Sequence, residues 1–175
     1  MLLLVQMKGK GGEQSMTGTK NPICGNIGKV LPIQLPAGED LITSLKKACA
    51  KQGIRYAAIL STVGSLRQLT IEGVAASKTS KTGAEFAPPR VIPGPMQVMS
   101  LEGMIYDSAK GEMDHHVHGL FADTEGNICG GHLIEGGCPI QTRLVIVVGE
   151  ITGVRMTERL DEESGHLVIN VDPMK

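Results

Sequence analysis

Apolar and polar residues alternate along most of the chain, and only one stretch keeps helical spacing. Ile27 to Leu35 alternates and predicts a first strand, ended by Pro36-Ala37-Gly38. Glu39 and Asp40 then place acidic groups at a helix start, where they favour the N-terminal dipole. Leu41, Ile42, Leu45, Ala48 and Cys49 follow at helical intervals, Lys46, Lys47 and Lys51 lie toward the far end, and Gly53 supplies a cap. The spacing therefore predicts one helix over 39–52. Tyr56 to Val63 reads as a buried strand broken at Gly64-Ser65, and Leu66 to Ala75 as another. Ser77 to Pro95 carries Lys, Thr, Gly and four prolines, a long loop with room for one short edge strand. From Met96 onward strand follows strand, over 96–105, 113–122, 128–135, 142–151 and 166–171, with turns at Ser108 to Gly111, Asp123 to Gly126, Gly136 to Pro139 and Asp161 to Gly165. One helix with seven or eight strands is an α+β fold built on antiparallel sheet.

Composition narrows this picture. A chain of 175 residues forms one domain with a real core, and with two Phe, two Tyr and no Trp that core is aliphatic and Met-based. Twenty-three glycines and nine prolines suit a turn-rich β fold. A formal net charge of −1 gives no general drive toward nucleic acid. Cys24, Cys49, Cys129 and Cys138 contain no Cys-x-x-Cys pair, so free thiols in a reducing, cytoplasmic setting are expected. Met1 to Val5 is too short for a membrane span and lacks the features of a secretory signal. Residues 1–25 read as a flexible lead-in, 26–172 as the domain and 173–175 as a tail. Gly18 to Lys20 lacks the spacing of a phosphate-binding loop.

The chemistry concentrates in His116-Val117-His118 and in Gly130-Gly131-His132. Residues two apart on a strand share a face, so His116 and His118 already form part of a metal site. Between the runs, Thr124-Glu125-Gly126 fits a three-residue hairpin loop with Gly in the left-handed region. That register sets Ala122 opposite Ile128, Leu120 opposite Gly130 and His118 opposite His132, with Cβ atoms of opposed residues ~5 Å apart. A two-residue loop at Glu125-Gly126 would instead send His132 to the other face. Three imidazoles with an open fourth position suit a catalytic zinc ion; the plain alternative is three polar residues on a solvated sheet. Cys129 falls on the face opposite His132. His115 also falls on the opposite strand face, toward solvent or an interface, and His166 reads as a surface residue.

Several of these segments together resemble one family. Pro95-Met96-Gln97-Val98-Met99-Ser100-Leu101-Glu102-Gly103, His116-Val117-His118, Asp123 to Gly126, Gly130-Gly131-His132-Leu133 with Glu135-Gly136, and Glu158-Arg159-Leu160-Asp161 before Ser164-Gly165 are similar to the plants-and-prokaryotes conserved (PPC) domain. The likeness runs roughly from Asn26 to Asp172. It implies a barrel-like antiparallel fold with one main helix, a homotrimer, and a three-histidine metal site at His116, His118 and His132. The plant branch carries Arg-Gly-Arg-Pro hooks, which this sequence lacks. The implied fold is also similar to that of acetolactate decarboxylase, a three-histidine zinc enzyme, although a shared fold assigns no reaction. Gln97 stands where relatives often carry Glu, and an amide cannot serve as a base.

Three functional expectations follow. The first is a trimer binding Zn²⁺ or another divalent metal, with binding of a small-molecule ligand or hydrolase- or lyase-type chemistry at the metal; Glu102 and Glu135 are the candidate proton carriers, and Ser100 and Ser61 candidate pocket residues. The second is DNA binding or regulation through Lys78, Lys81 and Arg90 and the lead-in Lys8, Lys10 and Lys20. The third is a structural trimeric interaction module without metal.

Overall fold

The computed structural model describes residues 22–174. Its elements run β1 (Asn26–Pro36), α1 (Leu41–Lys51), β2 (Ala57–Glu72), β3 (Val74–Ala76), β4 (Ala84–Phe86), β5 (Arg90–Asp107), β6 (Met113–Ala122), β7 (Ile128–Leu133), β8 (Ile140–Thr152), β9 (Val154–Leu160) and β10 (Leu167–Pro173). A single helix on a mostly antiparallel sheet makes this an α+β fold. The lead-in that carries Lys8, Lys10 and Lys20 lies, up to residue 21, outside the described residues. No helix among the described residues is long and apolar enough to cross a membrane.

The helix starts where Asp40 can serve two chains of bonds. Its Oδ1 accepts from the Thr43 N–H at 2.9 Å and its Oδ2 from the Cys138 N–H at 2.9 Å, so the cap also ties the helix to the β7–β8 connection. Leu41, Ile42, Leu45 and Cys49 then face the sheet and are fully buried. They meet Leu66, Leu69 and Ile71 of β2, Ile105 of β5, Val117 and Phe121 of β6, and Leu144, Ile146 and Val148 of β8 in one cluster. Burial raises the thiols of Cys49 and Cys138 to about 11, which keeps both as inert apolar fillers.

Strand order is β1-β8-β2-β7-β6-β5-β9-β10, with β2 also pairing β5. The extra pairing makes β2, β5, β6 and β7 a closed ring, sealed between β7 and β2 at Ile71↔Leu133 and Glu72↔His132. Gly131 permits this seal, because a Cβ there would sit 2.6 Å from the Glu72 carbonyl oxygen. The Gly-Gly pair beside His132 is therefore needed for close strand approach.

Four differences from the sequence reading have physical causes. β2 does not break at Gly64-Ser65; Gly64 lets the strand pass the Leu144 backbone, where a Cβ would lie 2.9 Å away. β5 begins at Arg90, inside the expected loop, and Pro93 sits next to the register shift between Leu66 and Gln68, where a missing N–H breaks no ladder. The strand expected over 66–75 is not continuous: β2 ends at Glu72, and β3 beyond it pairs with β4, the short edge strand of that loop. β9 was not anticipated at all; it joins β5 at one parallel position, Asp107↔Thr157, and otherwise pairs β10.

That wing packs over a second cluster of Tyr56, Tyr106, Val154 and Met156. Below it Asp107, 2% exposed, accepts from Arg55 Nε at 2.8 Å and from the Tyr56 hydroxyl at 2.9 Å. Arg55 also donates to the Gly111 carbonyl, pinning the β5–β6 turn. Asp107→Ala leaves the Tyr56 hydroxyl buried without a partner, and the expected loss is about 1–3 kcal/mol by denaturant unfolding, with Tyr56→Phe costing less. A loss below about 0.5 kcal/mol for Asp107→Ala would mean the network is not structural.

Candidate metal centre

The site begins with a turn. The Asp123 N–H donates to the Asn127 carbonyl at 3.0 Å, and Gly126, at φ +87°, donates to the Asp123 carbonyl at 3.2 Å. The Asp123 carboxylate accepts from the backbone N–H groups of Glu125 and Asn127 and from the Asn127 side chain, all at 2.9 Å. The bond from the Asn127 amide, with the turn N–H groups behind it, holds that carboxyl below its usual range. This is the three-residue loop with Gly in the left-handed position.

Its register follows: Ala122↔Ile128, Leu120↔Gly130 and His118↔His132. On the other side of β6, His118 faces Glu102 and His116 faces Met104 of β5. His116, His118 and His132 each bring a ring nitrogen to within 4.8 Å of the others. Ring centroids are 4.7 Å apart for His116 and His118, 4.9 Å for His116 and His132, and 5.6 Å for His118 and His132. Cys129 packs toward the core, on the face away from His132.

Electrostatics favours the neutral form of two of these rings. Burial, reinforced by the neighbouring imidazoles, lowers His132 to about 4, and the same causes lower His116. Neutral imidazoles present the lone pairs that a cation needs. His132 Nδ1 is buried and makes no hydrogen bond among the described residues. An orphaned ring nitrogen in a cluster of three is what a bound cation or its water would satisfy, so these residues fit a divalent metal.

Beside His118 lies a cleft of about 230 Å³ lined by Ser100, Glu102, His118, Gly119, Leu120 and Gly131. Glu102 and Ser100 are thus brought to the histidines. Glu135 is engaged elsewhere, its carboxylate 2.8 Å from Lys46 Nζ and 3.1 Å from the Thr43 hydroxyl of α1. Ser61 sits on β2 opposite Val147 and does not line the cleft. Gln97 pairs with Ala122 at the turn end of the hairpin, four residues along β6 from His118 and so roughly 13 Å away along the strand. An amide there removes no carboxylate from beside the imidazoles. Lys78, Lys81 and Arg90 are exposed, and Lys81 reaches the Glu162 carbonyl.

The structure relocates two histidines. His115 does not face solvent within the chain: its ring stacks on His132, at a centroid distance of 5.5 Å and 15° between planes. Alternation alone could not show this, because β7 stops pairing with β6 at His132 and leaves room for the ring. His166 is half-buried; Nε2 lies 3.2 Å from the Thr82 hydroxyl and the ring meets Phe86 edge-on, so it joins the β3–β4 hairpin to the β9–β10 turn.

The family model described as the Plants and Prokaryotes Conserved (PCC) domain matches residues 23–152. The chain belongs to that family. Two curated relatives, each a bifunctional protein GlmU from Synechococcus sp., are 28% and 26% identical over 83% and 89% of this chain. The PCC chain spans only about a fifth of their length, 21% and 22%. Among solved structures, a metal-containing protein from Archaeoglobus fulgidus is similar with a TM-score of 0.71 at 23% identity, covering 85% of this chain and 98% of that one. A plant- and prokaryote-conserved protein from Pyrococcus horikoshii gives a TM-score of 0.65 at 24% identity, covering 87% and 96%. At these identities the two structures establish the PCC fold.

The lowered His132 pKa has a measurable sign. The folded, metal-free PCC domain binds this proton more weakly than the unfolded chain does. Its stabilising contribution is therefore complete above about pH 6.5 and is lost as pH falls toward about 4. An NMR titration of the metal-free domain should show His132 neutral at pH 5.5. A midpoint at or above 6.5 would contradict the burial argument.

Proposed function

We propose that this protein is a trimeric metal-binding protein that holds a divalent transition metal, zinc first, through His116, His118 and His132. The observation that carries this reading is the convergence of three ring nitrogens within 4.8 Å on paired strands, with His132 Nδ1 buried without a hydrogen bond. The metal-containing description of the Archaeoglobus fulgidus relative supports it. Three imidazoles leave a fourth position for water or a small ligand. Bound there, zinc supplies a Lewis acid and a water that ionises near neutral pH. The chain's own contribution is the cleft beside His118, where Glu102 is placed to hold or move a proton and Ser100 to hydrogen-bond a polar ligand. With Glu135 held by Lys46, Glu102 is the carboxylate that serves this face.

Trimerisation is supported by the apolar character of the sheet face that bears His116 and His118. Val30, Val63, Met99, Leu120 and Val145 are all exposed on it, Val63 at 71%. Exposed apolar residues of this number on one sheet face favour an association surface. Light scattering on the purified chain should give three times the chain mass, and Val63→Lys should shift the protein toward monomer. A monomeric wild type would remove the trimer from this reading.

Elemental analysis of protein purified without chelator tests the metal site. The expected result is about one divalent metal per chain, with loss of at least tenfold in affinity for His118→Ala. Metal content unchanged by that substitution would reject the site. Absence of any metal would leave a structural interaction module as the reading.

A further inference from the structure

Four imidazoles, rather than three, meet at this end of the sheet, and the fourth belongs to no ligand set. We infer that His115 is a positioning residue that fixes the ring of His132, and through it the geometry of the three-histidine cluster. The inference rests on the proposed metal site.

The β6–β7 ladder ends at the histidines. Its last pair is His118↔His132. Beyond it the chain turns to β2: Leu133 pairs Ile71, and the Ile134 N–H donates to the Thr70 carbonyl at 3.0 Å. β6 therefore runs on toward Met113 without a β7 partner, and the His115 ring occupies the notch, its side chain 9% exposed. Its Nε2 lies 3.1 Å from the Leu133 carbonyl oxygen. A carbonyl only accepts, so Nε2 carries the hydrogen in this arrangement. One ring thus caps a carbonyl freed from the ladder and lies flat on the preceding residue's imidazole.

The three cluster histidines differ in how they are restrained. His116 and His118 are exposed, whereas His132 is half-buried. The His132 backbone is fixed by pairs on both sides, to His118 and to Glu72. Its ring gains no such restraint from hydrogen bonds, since Nδ1 has no partner. The near-parallel contact with His115, at 5.5 Å and 15°, supplies the orientation instead, within the range of offset ring stacking. The Asp114 oxygen that accepts from the His115 N–H lies 3.3 Å from His115 Nδ1 but outside hydrogen-bonding geometry, so the ring's own place comes from the Leu133 bond and the stack. Holding a ligand ring in place before the metal arrives lowers the entropic cost of coordination.

Three variants separate stacking from capping. His115→Ala removes both contacts, His115→Phe keeps a ring without the hydrogen bond, and His115→Gln offers an amide donor without a ring. Zn²⁺ affinity would be measured by chelator competition, ligand geometry by the visible spectrum of the Co²⁺-loaded chain, and fold stability by thermal unfolding without metal. His115→Ala should bind about ten- to a hundredfold more weakly with an altered Co²⁺ spectrum. His115→Phe should recover most of the affinity and the spectrum, while His115→Gln should not. Wild-type affinity and spectrum in His115→Ala would overturn the inference, as would equal recovery by His115→Gln. If wild-type protein binds no metal, the site reading fails, and the ring contact is read in the metal-free chain from the ring-current shifts of the His132 protons. Those shifts should vanish in His115→Ala and return in His115→Phe; unchanged shifts would overturn the inference on their own.

Discussion

One backbone angle sets the parity of this molecule's chemistry. Gly126, in the left-handed region, makes the β6–β7 connection three residues long, and that length decides which face His132 occupies. With one residue fewer, His118 and His132 would point to opposite sides of the sheet. The Asp123 carboxylate secures the same turn by gathering the N–H groups of Glu125 and Asn127, so the loop is held by side chain as well as backbone. The convergence of His132 with His116 and His118 follows from that register, while the separate β5–β6 register places Glu102 opposite His118.

Local chemistry made much of this legible. The β6 strand, the turn and the opposed pairs could be read from residue types because each rests on short-range rules: period two, a Gly at the αL position, an Asx-type neighbour. The helix was legible for the same reason, with Asp40 as its cap and Leu41, Ile42 and Leu45 on its buried face. What stayed hidden depends on partners far along the chain. Gly64 looks like a break until Leu144 crosses it, and prolines at 93 and 95 look like a loop until β2 pairs alongside. β9 pairs with a strand formed later in the chain and touches β5 at a single position, so its short alternation carried little weight. His115 escaped because strand alternation describes a side chain only where the ladder continues.

The site is better defined than any reaction it could support. Three imidazoles and one cross-strand carboxylate are a general arrangement for binding a cation and a small polar ligand. The Glu135 carboxylate, bound to Lys46 and Thr43, instead reinforces the junction between α1 and the chain beyond β7. Asp40 reinforces that junction too, through Cys138. The core behind the site is thereby anchored at the point where β7 leaves its hairpin.

The ring of β2, β5, β6 and β7 closes through only two residue pairs, and one of them is Glu72↔His132. That seam is the least paired of the ring's four joints, and it contains one of the three histidines. Whatever those imidazoles hold would clamp β6 to β7 and leave the β7–β2 pairs to close the ring by themselves. Parting of β7 from β2 would therefore open the ring and leave that ligand in place, because all three histidines stay together on the β6–β7 hairpin.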